Sequence, residues 1–331
     1  MKKIFFSLIL LFSTLSLGAH IFDFEVSVEP VYSLQNGTLY EYVYVHDYTS
    51  DSTVKLSELD WNLNNLSYVG GRASLDWEYF SLIAEITACL SKNSGTMEDY
   101  DWLDYTSSGS YYYYNDPSMC TNKSISENYL DSSTFMKIMM QGNIPVIWDF
   151  FVKPYIGVEY HTIKFSARNG YGWYGDTQHV PYTDANATYY ASGTLGSIDY
   201  DRNTLSTYFG FSAGYSFFDR LSLSAYASFC PYTYVESLDF HHNLNSETTG
   251  NFYNDIMYGF FKEWRFGAYV EYKILDSLFV DTSLDFVFLN ELSGITYKDT
   301  SKNMKNKTLA VTTSACAAKY WDLKLGIKWT F

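Results

Sequence analysis

The last residues of the chain alternate regularly between apolar and polar side chains. From 321 to 331 every odd position is large and apolar, whereas every even position is polar or glycine. A period of two predicts a β-strand with one apolar face, because successive side chains of a strand point to opposite sides. Such a segment, closed by the terminal Phe331, favours the last strand of a bacterial outer-membrane β-barrel. A half-buried strand of a soluble β-sandwich is the alternative interpretation.

The same alternation recurs along the chain, most clearly at 22–29, 59–77, 82–90, 221–229 and 266–272. Short turns are predicted near 77–80, 142–148, 217–220 and 273–277, and long polar loops near 35–54, 91–132, 169–195, 242–254 and 290–309. Four turns and five loops join ten strands, and with both termini in the periplasm every long loop faces the cell exterior. The sequence therefore predicts an all-β fold, a ten-stranded antiparallel transmembrane β-barrel with long extracellular loops.

The N-terminus has the features of an export signal. Lys2 and Lys3 precede an apolar run from 4 to 17, and small residues follow up to Ala19. This order predicts a signal peptide over residues 1–19 and a single mature barrel domain over residues 20–331. A membrane anchor is the alternative, but a spanning helix needs roughly 20 apolar residues and this run is shorter.

Composition supports the barrel and narrows its partners. Aromatic residues make up 20% of the chain, with 33 Tyr and 24 Phe, as expected of a barrel with aromatic girdles at the membrane interfaces. The formal net charge of -15 argues against a nucleic-acid partner, which needs a basic surface, and favours cationic partners.

The four cysteines, Cys89, Cys120, Cys230 and Cys316, are widely scattered and form no Cys-x-x-Cys or Cys/His cluster. A zinc site is therefore not expected. An export compartment permits disulfide bonds, but the spacing does not distinguish among the possible pairings.

Two acidic clusters carry the candidate chemistry. A ten-stranded barrel is largely filled by its own side chains, so we expect function at the outer rim rather than in a pore. One cluster, 97–104, lies at the top of predicted strand three, and the other, 235–242, at the top of strand seven. Residues i and i+2 share one face of a strand, so Asp99 pairs with Asp101, and Asp239 pairs with His241. These two pairs are expected to face each other across the mouth.

Such an arrangement can activate a water molecule. A carboxylate beside a histidine orients the ring and raises its pKa, so that the imidazole can accept a proton near neutral pH. Opposed carboxylates repel each other, which favours a proton or a water molecule shared between them. The alternative interpretation is that these residues are solvated acids of surface loops.

Five segments, in this order along the chain, resemble motifs of the omptins, outer-membrane endopeptidases of ten-stranded barrel fold. The similar segments are 55–61 (Lys-x-Ser-x-Leu-Asp-Trp), 97–104 (Met-x-Asp-x-Asp-Trp-x-Asp in the family), 165–168 (Phe-Thr-Ala-Arg in the family), 235–241 (Val-Glu-Ser before Asp-x-His) and 326–331 (Gly-x-Lys-aromatic-Thr-Phe). The resemblance covers nearly the whole predicted mature chain.

The resemblance implies an endopeptidase in the bacterial outer membrane, with an activated water at the extracellular mouth and without a covalent intermediate, metal or cofactor. His241 would be the general base and Asp239 its orienting partner, while Asp99 and Asp101 would form the opposing pair. Omptins typically cut between basic residues, and Glu41 is similar to the glutamate of their acidic substrate pocket. The implied partners are cationic peptides or proteins and outer-membrane lipid.

Two departures from the family pattern concern ligands. The segment before the Asp-x-His pair is two residues shorter, so the second acidic residue of the pocket has no counterpart, and Leu238 stands near its place. The Tyr-x-Glu-x-Arg pattern with which omptins engage lipopolysaccharide reads Val158, Tyr160 and Thr162 here. We therefore do not expect a strict preference for arginine or lysine, nor dependence on lipopolysaccharide.

A third departure concerns strand parity. Strict alternation continued from 221–229 would place Asp239 and His241 on the lipid side of the barrel. A β-bulge shifts the alternation by one residue, and proline within a strand often marks one. We therefore predict a bulge near Pro231 that turns both side chains toward the lumen.

The leading hypothesis is an omptin-like aspartyl-type endopeptidase. A non-catalytic surface adhesin or structural barrel on the same scaffold is the alternative. A barrel-type lipid hydrolase ranks third, since no Ser-His-Asn arrangement is present among the candidate residues.

Overall fold

The computed structural model describes residues 24–47, 51–105, 111–113, 116–243 and 250–331. The predicted signal peptide at 1–19 lies outside these residues. Besides a short 3-10 helix, Pro117–Met119, the described chain forms β-strands. They are β1 (Glu25–Asp47), β2 (Ser52–Asp76), β3 (Phe80–Cys89), β4 (Asn93–Asp101), β5 (Leu103–Tyr105), β6 (Tyr111–Tyr113), β7 (Asn122–Gly142), β8 (Ile144–Ile147), β9 (Phe150–Tyr174), β10 (Thr188–Tyr190), β11 (Ile198–Phe217), β12 (Leu221–His242), β13 (Gly250–Gly259), β14 (Glu263–Leu275), β15 (Leu278–Asp299), β16 (Thr308–Leu309) and β17 (Thr312–Thr330).

Ten strand positions form a closed antiparallel ring within these described ranges. In order they are β1, β2, β3 with β4, β7, β9, β11, β12, β13 with β14, β15 and β17, which pairs again with β1. The predicted ten-stranded antiparallel barrel is confirmed. No helix among the described residues is long and apolar enough to cross a membrane.

The outer wall carries the apolar side of the alternation. Ile86 on β3 is 52% exposed and Ile138 on β7 is 62% exposed. A closed ring satisfies its own backbone hydrogen bonds, so an apolar outer band is what allows such strands to lie in lipid. Large aromatic side chains, among them Trp77, Trp148 and Phe217, are exposed near the short turns, where an aromatic girdle is expected.

The boundaries of the predicted long loops were wrong. Predicted loop 35–54 is mostly strand, because β1 continues to Asp47 and β2 begins at Ser52. Predicted loops 91–132 and 290–309 overlap β4, β7 and β15 in the same way. Outside the membrane the wall faces water, so these strand ends need no apolar outer face and lose the alternation that identifies a strand. The short turns predicted near 77–80, 217–220 and 273–277 are confirmed.

A β-bulge in β12 redirects the end of that strand. The register with β11 shifts so that Cys230 and Pro231 together stand opposite Tyr208. Above the bulge the odd-numbered side chains from 233 to 239 are buried, whereas 228 and 230 are buried below it. The bulge predicted near Pro231 is therefore confirmed, and it puts Asp239 and His241 on the lumen side.

An apolar core fills the lumen below the mouth. All ten strand positions contribute side chains to it. The fully buried Trp61 lies at its centre, with ring centroids 5.4 Å from Phe165 and 5.0 Å from Tyr200. This core separates the mouth, the end of the barrel where the longer connections lie, from the other half of the lumen.

Below the core, the charged side chains of the lumen are matched with one another. Arg72 donates to Glu29 Oε1 at 2.9 Å and to Glu85 Oε2 at 3.0 Å, and Lys324 Nζ donates to Glu85 Oε1 at 2.7 Å. A second group joins Arg265, Glu159 and Glu263. A polar cavity of about 570 Å³ lies among these side chains.

Candidate active site

Asp99 and Asp101 lie side by side at the mouth. Met97, two residues earlier on β4, is buried in the apolar core, which identifies that face of the strand as the lumen side. Asp99 and Asp101 follow at two-residue spacing and share it. Ser57 on the adjacent β2 donates its hydroxyl to Asp99 Oδ1 at 3.1 Å. The predicted pairing of the two aspartates is therefore present.

Asp239 and His241 form a hydrogen-bonded pair beyond the bulge of β12. The ring nitrogen Nε2 of His241 lies 2.5 Å from Asp239 Oδ2. Asp239 is 3% exposed, whereas the His241 side chain is 42% exposed. With Nε2 donating to the carboxylate, Nδ1 is the nitrogen that can accept a proton from the mouth.

The surroundings of His241 favour its charged form. Partial burial alone would lower the pKa of the imidazole, but the Asp239 carboxylate, its hydrogen bond, and the charges of Asp99 and Asp101 outweigh this and raise the pKa to about 9. Asp99 and Asp101 on β4 thus lie within electrostatic reach of His241 on β12.

The opposing aspartates hold protons more tightly than isolated carboxyls. Removal from bulk water raises the pKa of Asp99 to about 6, although His241 and the Ser57 hydrogen bond favour the carboxylate. For Asp101 the same desolvation, reinforced by the Asp99 charge, raises the pKa well above its usual range. The pair can therefore share a proton or hold a water molecule between its oxygens.

Glu41 lies at the bottom of the mouth, beside the apolar core. It is 3% exposed, and the indole nitrogen of Trp61 donates to its Oε2 at 3.3 Å. Burial, followed by the charges of Asp239 and Asp255, raises the pKa of Glu41 well above its usual range. This carboxyl therefore lies within electrostatic reach of Asp239, and its role in a substrate pocket stays a prediction.

Asp255 on β13 is a site residue that the sequence did not predict. It is 3% exposed and stands directly across from Ser237, whose hydroxyl lies 3.3 Å from Asp255 Oδ2. Burial is the main cause that raises its pKa to about 6, and Asp239 contributes. Asp255 belongs to no motif, and its position beside Ser237 depends on the β12–β13 register. In the sequence it is marked only as an acidic residue two positions after Tyr253, on the same face of a strand.

A polar group on the outer wall supports the strand that carries His241. Arg168 donates to Asp199 Oδ1 at 2.5 Å, and Asp199 Oδ2 lies 2.9 Å from Nε2 of His242. The group ties β9, β11 and β12 together behind the mouth. Val158 and Tyr160, by contrast, are 44% and 39% exposed on the outer wall.

Among the described residues, no group of three or more His, Cys, Asp or Glu side chains is arranged to hold a metal ion. The four cysteines, Cys89, Cys120, Cys230 and Cys316, are all unpaired. The site is thus a set of carboxylates and one histidine.

Comparison with known proteins gives a consistent picture. The model of the Omptin family matches residues 24–331. The plasminogen activator of Yersinia pestis is 34% identical over 58 residues, a stretch that spans 17% of this chain and only 19% of that protein. The crystal structure of the outer membrane protease OmpT from Escherichia coli superimposes with a TM-score of 0.75 at 17% identity, covering 93% of this chain and 97% of that chain. At that identity the structural match concerns the fold.

Proposed function

Because this chain belongs to the omptin family of outer-membrane proteases, we propose that it is an endopeptidase that hydrolyses peptide bonds with a water molecule activated between Asp239–His241 and Asp99–Asp101. The observation that carries the proposal is the hydrogen-bonded Asp239–His241 pair, which lies within electrostatic reach of two aspartates of raised pKa at the mouth of the barrel. Perturbed carboxyls around an imidazole are what general acid–base chemistry requires.

The chemical steps follow from these positions. A water molecule held by the Asp99–Asp101 pair attacks the peptide carbonyl, and Nδ1 of His241 takes its proton. Asp239 stabilises the imidazolium that forms. The tetrahedral intermediate then breaks its C–N bond, and His241 returns the proton to the departing amine. No bond to the protein forms at any step.

We further propose that Glu41 binds a basic side chain of the substrate. Bound there, a cation would offset the carboxylates that raise the pKa of His241, and the ring would lose its proton more readily. Substrate binding would thereby supply the neutral imidazole that a general base needs. A preference for cationic peptides or proteins follows from the same charge.

The family and the barrel fold imply the bacterial outer membrane. We propose that the mouth faces the cell exterior and that lipopolysaccharide is not required for activity. The outer-wall positions 158, 160 and 162 carry no charged side chain, and Arg168 is already paired with Asp199. Outer-membrane lipid would then surround the apolar outer wall of the barrel without activating the enzyme.

The test uses the refolded barrel and a panel of internally quenched fluorogenic peptides that vary the residue on each side of the bond. We expect cleavage of peptides with basic residues, equal with and without added lipopolysaccharide, and a loss of about 10²- to 10⁴-fold in kcat/KM for His241→Ala. His46→Gln is the matched control, since that histidine lies near the end of β1 and its side chain is exposed. Cleavage that survives in folded His241→Ala would contradict the mechanism, and no cleavage by folded wild type would favour the non-catalytic surface barrel.

A further inference from the structure

The cavity below the apolar core is large enough to hold a small molecule. Its volume of about 570 Å³ falls within the roughly 300–1,000 Å³ that ligand pockets span. The lining includes Glu78 and Asn143, which lie in the short connections after β2 and β7. Because the apolar core lies between this cavity and the mouth, a solute would enter from the end with the short turns, which is the periplasmic end in the proposed orientation.

Three charged side chains of this lining are exceptions to the pairing found below the core. Lys137, Lys153 and Asp285 are half-buried and line the cavity. In the described chain, no carboxylate oxygen lies within 4.0 Å of either lysine nitrogen, and no lysine or arginine nitrogen lies within 4.0 Å of Asp285. Withdrawing a charge from bulk water costs free energy unless a partner replaces the water. These groups can therefore still take a charged partner from the cavity.

The strand register explains why Lys137 has no ion pair. It stands directly across from Glu85 in the β3–β7 ladder and from Glu159 in the β7–β9 ladder. Both carboxylates already have cationic partners. Lys324 Nζ lies 2.7 Å from Glu85 Oε1, and a nitrogen of Arg265 lies 2.7 Å from Glu159 Oε2. The Lys137 ammonium is therefore left for the cavity.

Asp285 lies on the other side of the cavity from Lys137. In the order of the ring given above, β7 is the fourth strand position and β15 the ninth, so half of the ten-stranded ring separates them. The two charges are nevertheless within electrostatic reach of each other. Asp285 Oδ1 accepts the Tyr226 hydroxyl at 2.6 Å, and Asp322 stands directly across from Asp285 in the β15–β17 ladder. An unpaired cation and an unpaired acid thus face each other across the cavity.

We propose that this cavity binds a zwitterionic solute, an amino acid or short peptide, with its carboxylate at Lys137 and its ammonium group at Asp285. A solute with a negative charge alone would leave Asp285 unmatched, and one with a positive charge alone would leave Lys137 unmatched. Strands between these two residues contribute the rings of Tyr155 and Tyr226, whose centroids are 6.3 Å apart. Such rings can pack against an apolar side chain of the solute.

The experiment measures the binding of four forms of one dipeptide by isothermal titration calorimetry. The barrel is reconstituted in lipid nanodiscs as the His241→Ala protein, so that proteolysis does not interfere. Alanyl-phenylalanine is used with both ends free, with an acetylated N-terminus, with an amidated C-terminus, and with both ends blocked. We expect the form with free ends to bind at least about tenfold more tightly than each blocked form, as for loss of a hydrogen bond to a charged group.

Two substitutions assign the ends of the dipeptide to their partners. Lys137→Gln and Asp285→Asn should each weaken binding of the free dipeptide at least about tenfold. Lys137→Gln should also remove the preference for a free carboxylate, and Asp285→Asn the preference for a free ammonium group. Lys319→Gln, which changes an exposed lysine of β17, is the matched control and should leave the affinity unchanged.

The comparison of the four dipeptide forms decides the inference even where a variant does not refold. Equal affinity for all four forms, or no saturable binding by the folded parent protein, would overturn it and indicate a cavity that holds water only. Unchanged affinity in folded Lys137→Gln and folded Asp285→Asn would also overturn it, because the dipeptide would then bind elsewhere, such as at the mouth. Neither result bears on the proposed proteolysis, since the cavity and the mouth lie on opposite sides of the apolar core.

Discussion

The two ends of the lumen treat buried carboxylates in opposite ways. In the half below the apolar core, Glu29 and Glu85 accept hydrogen bonds from Arg72, and Glu85 also accepts one from Lys324. In the mouth, five carboxyls surround a single histidine, and no lysine or arginine of the described chain pairs with them. The five are Glu41, Asp99, Asp101, Asp239 and Asp255.

This difference separates structural charge from functional charge. Below the core, Arg72 and Lys324 pair with Glu29 and Glu85, and loss of one partner would leave a buried charge uncompensated. Carboxyls above the core that lack a cationic partner destabilise the free protein, and under the proposed function a substrate cation or a transferred proton would complete them. Acidic residues are present in both regions, and what distinguishes the active region is the absence of their partners.

The largest effect is expected from removing the pair that holds the water. Asp99→Asn combined with Asp101→Asn should reduce kcat/KM by about 10²- to 10⁴-fold, because the amides cannot accept or share the proton. Steady-state kinetics on one fluorogenic peptide measures this. Asp201→Asn, which alters an outer-wall carboxylate that pairs with Lys164, is the control. Comparable loss in the control would mean that the mouth acids have no special role.

The next largest effect is expected from removing a cation from the ion pairs below the core. Arg72→Met leaves Glu29 without its cationic partner and Glu85 with Lys324 alone, and the free energy of unfolding should fall by about 3–5 kcal/mol. Urea unfolding in lipid vesicles, followed by tryptophan fluorescence, gives the change. Asp255→Asn, which removes an unmatched charge, should show no such loss. Equal destabilisation by both substitutions would contradict the claim that the carboxyls below the core and those at the mouth differ in their contribution to stability.

The sequence was sufficient to predict the barrel, its ten strands and the contact between Asp239 and His241. Alternation is strongest where one face of a strand lies in lipid, as in 82–90 and 321–331. Strict alternation along β12 would put Asp239 on the lipid side, so the sequence predicted a bulge near Pro231. The register shift between β11 and β12 confirms that bulge. These features depend on local pattern, which a sequence carries directly.

Features set by contacts between strands were not predictable in the same way. The sequence predicts a loop where β1 and β2 continue beyond the membrane, because a strand whose outer face lies in water needs no apolar alternation. Asp255 escaped notice because only the β12–β13 register brings it to Ser237 and toward Glu41. Trp61 was recognised as part of a motif, but its packing between Phe165 and Tyr200 requires the closed ring.

A smaller effect concerns pH. The pKa of His241 is raised to about 9 by Asp239 and the facing aspartates, so the neutral ring needed as a base becomes more abundant as pH rises toward 9. The kcat/KM of wild type should therefore increase between pH 7 and pH 9, by at most about tenfold per pH unit. Asp239→Asn should move this rise to lower pH while reducing the maximum. A profile with the same midpoint in both proteins would show that another group controls it.

The smallest effect is a gain in stability from the unmatched region. Burial and neighbouring charges raise the pKa of Glu41, so the folded state loses stability relative to the unfolded state as pH rises above the usual glutamate pKa. Glu41→Gln should therefore increase the free energy of unfolding at pH 7 by about 1 kcal/mol, with the gain disappearing near pH 4. Urea titrations at the two pH values test this, and destabilisation at pH 7 would contradict it.

The most direct test of the central claim is a map of cleavage sites. Denatured proteins from a cell extract are digested with the refolded barrel and with His241→Ala, and the new termini are identified by mass spectrometry. The account predicts bonds that follow arginine or lysine in the wild-type digest and no such new termini with His241→Ala. Cleavage without enrichment of basic residues, or the same termini from both proteins, would contradict it.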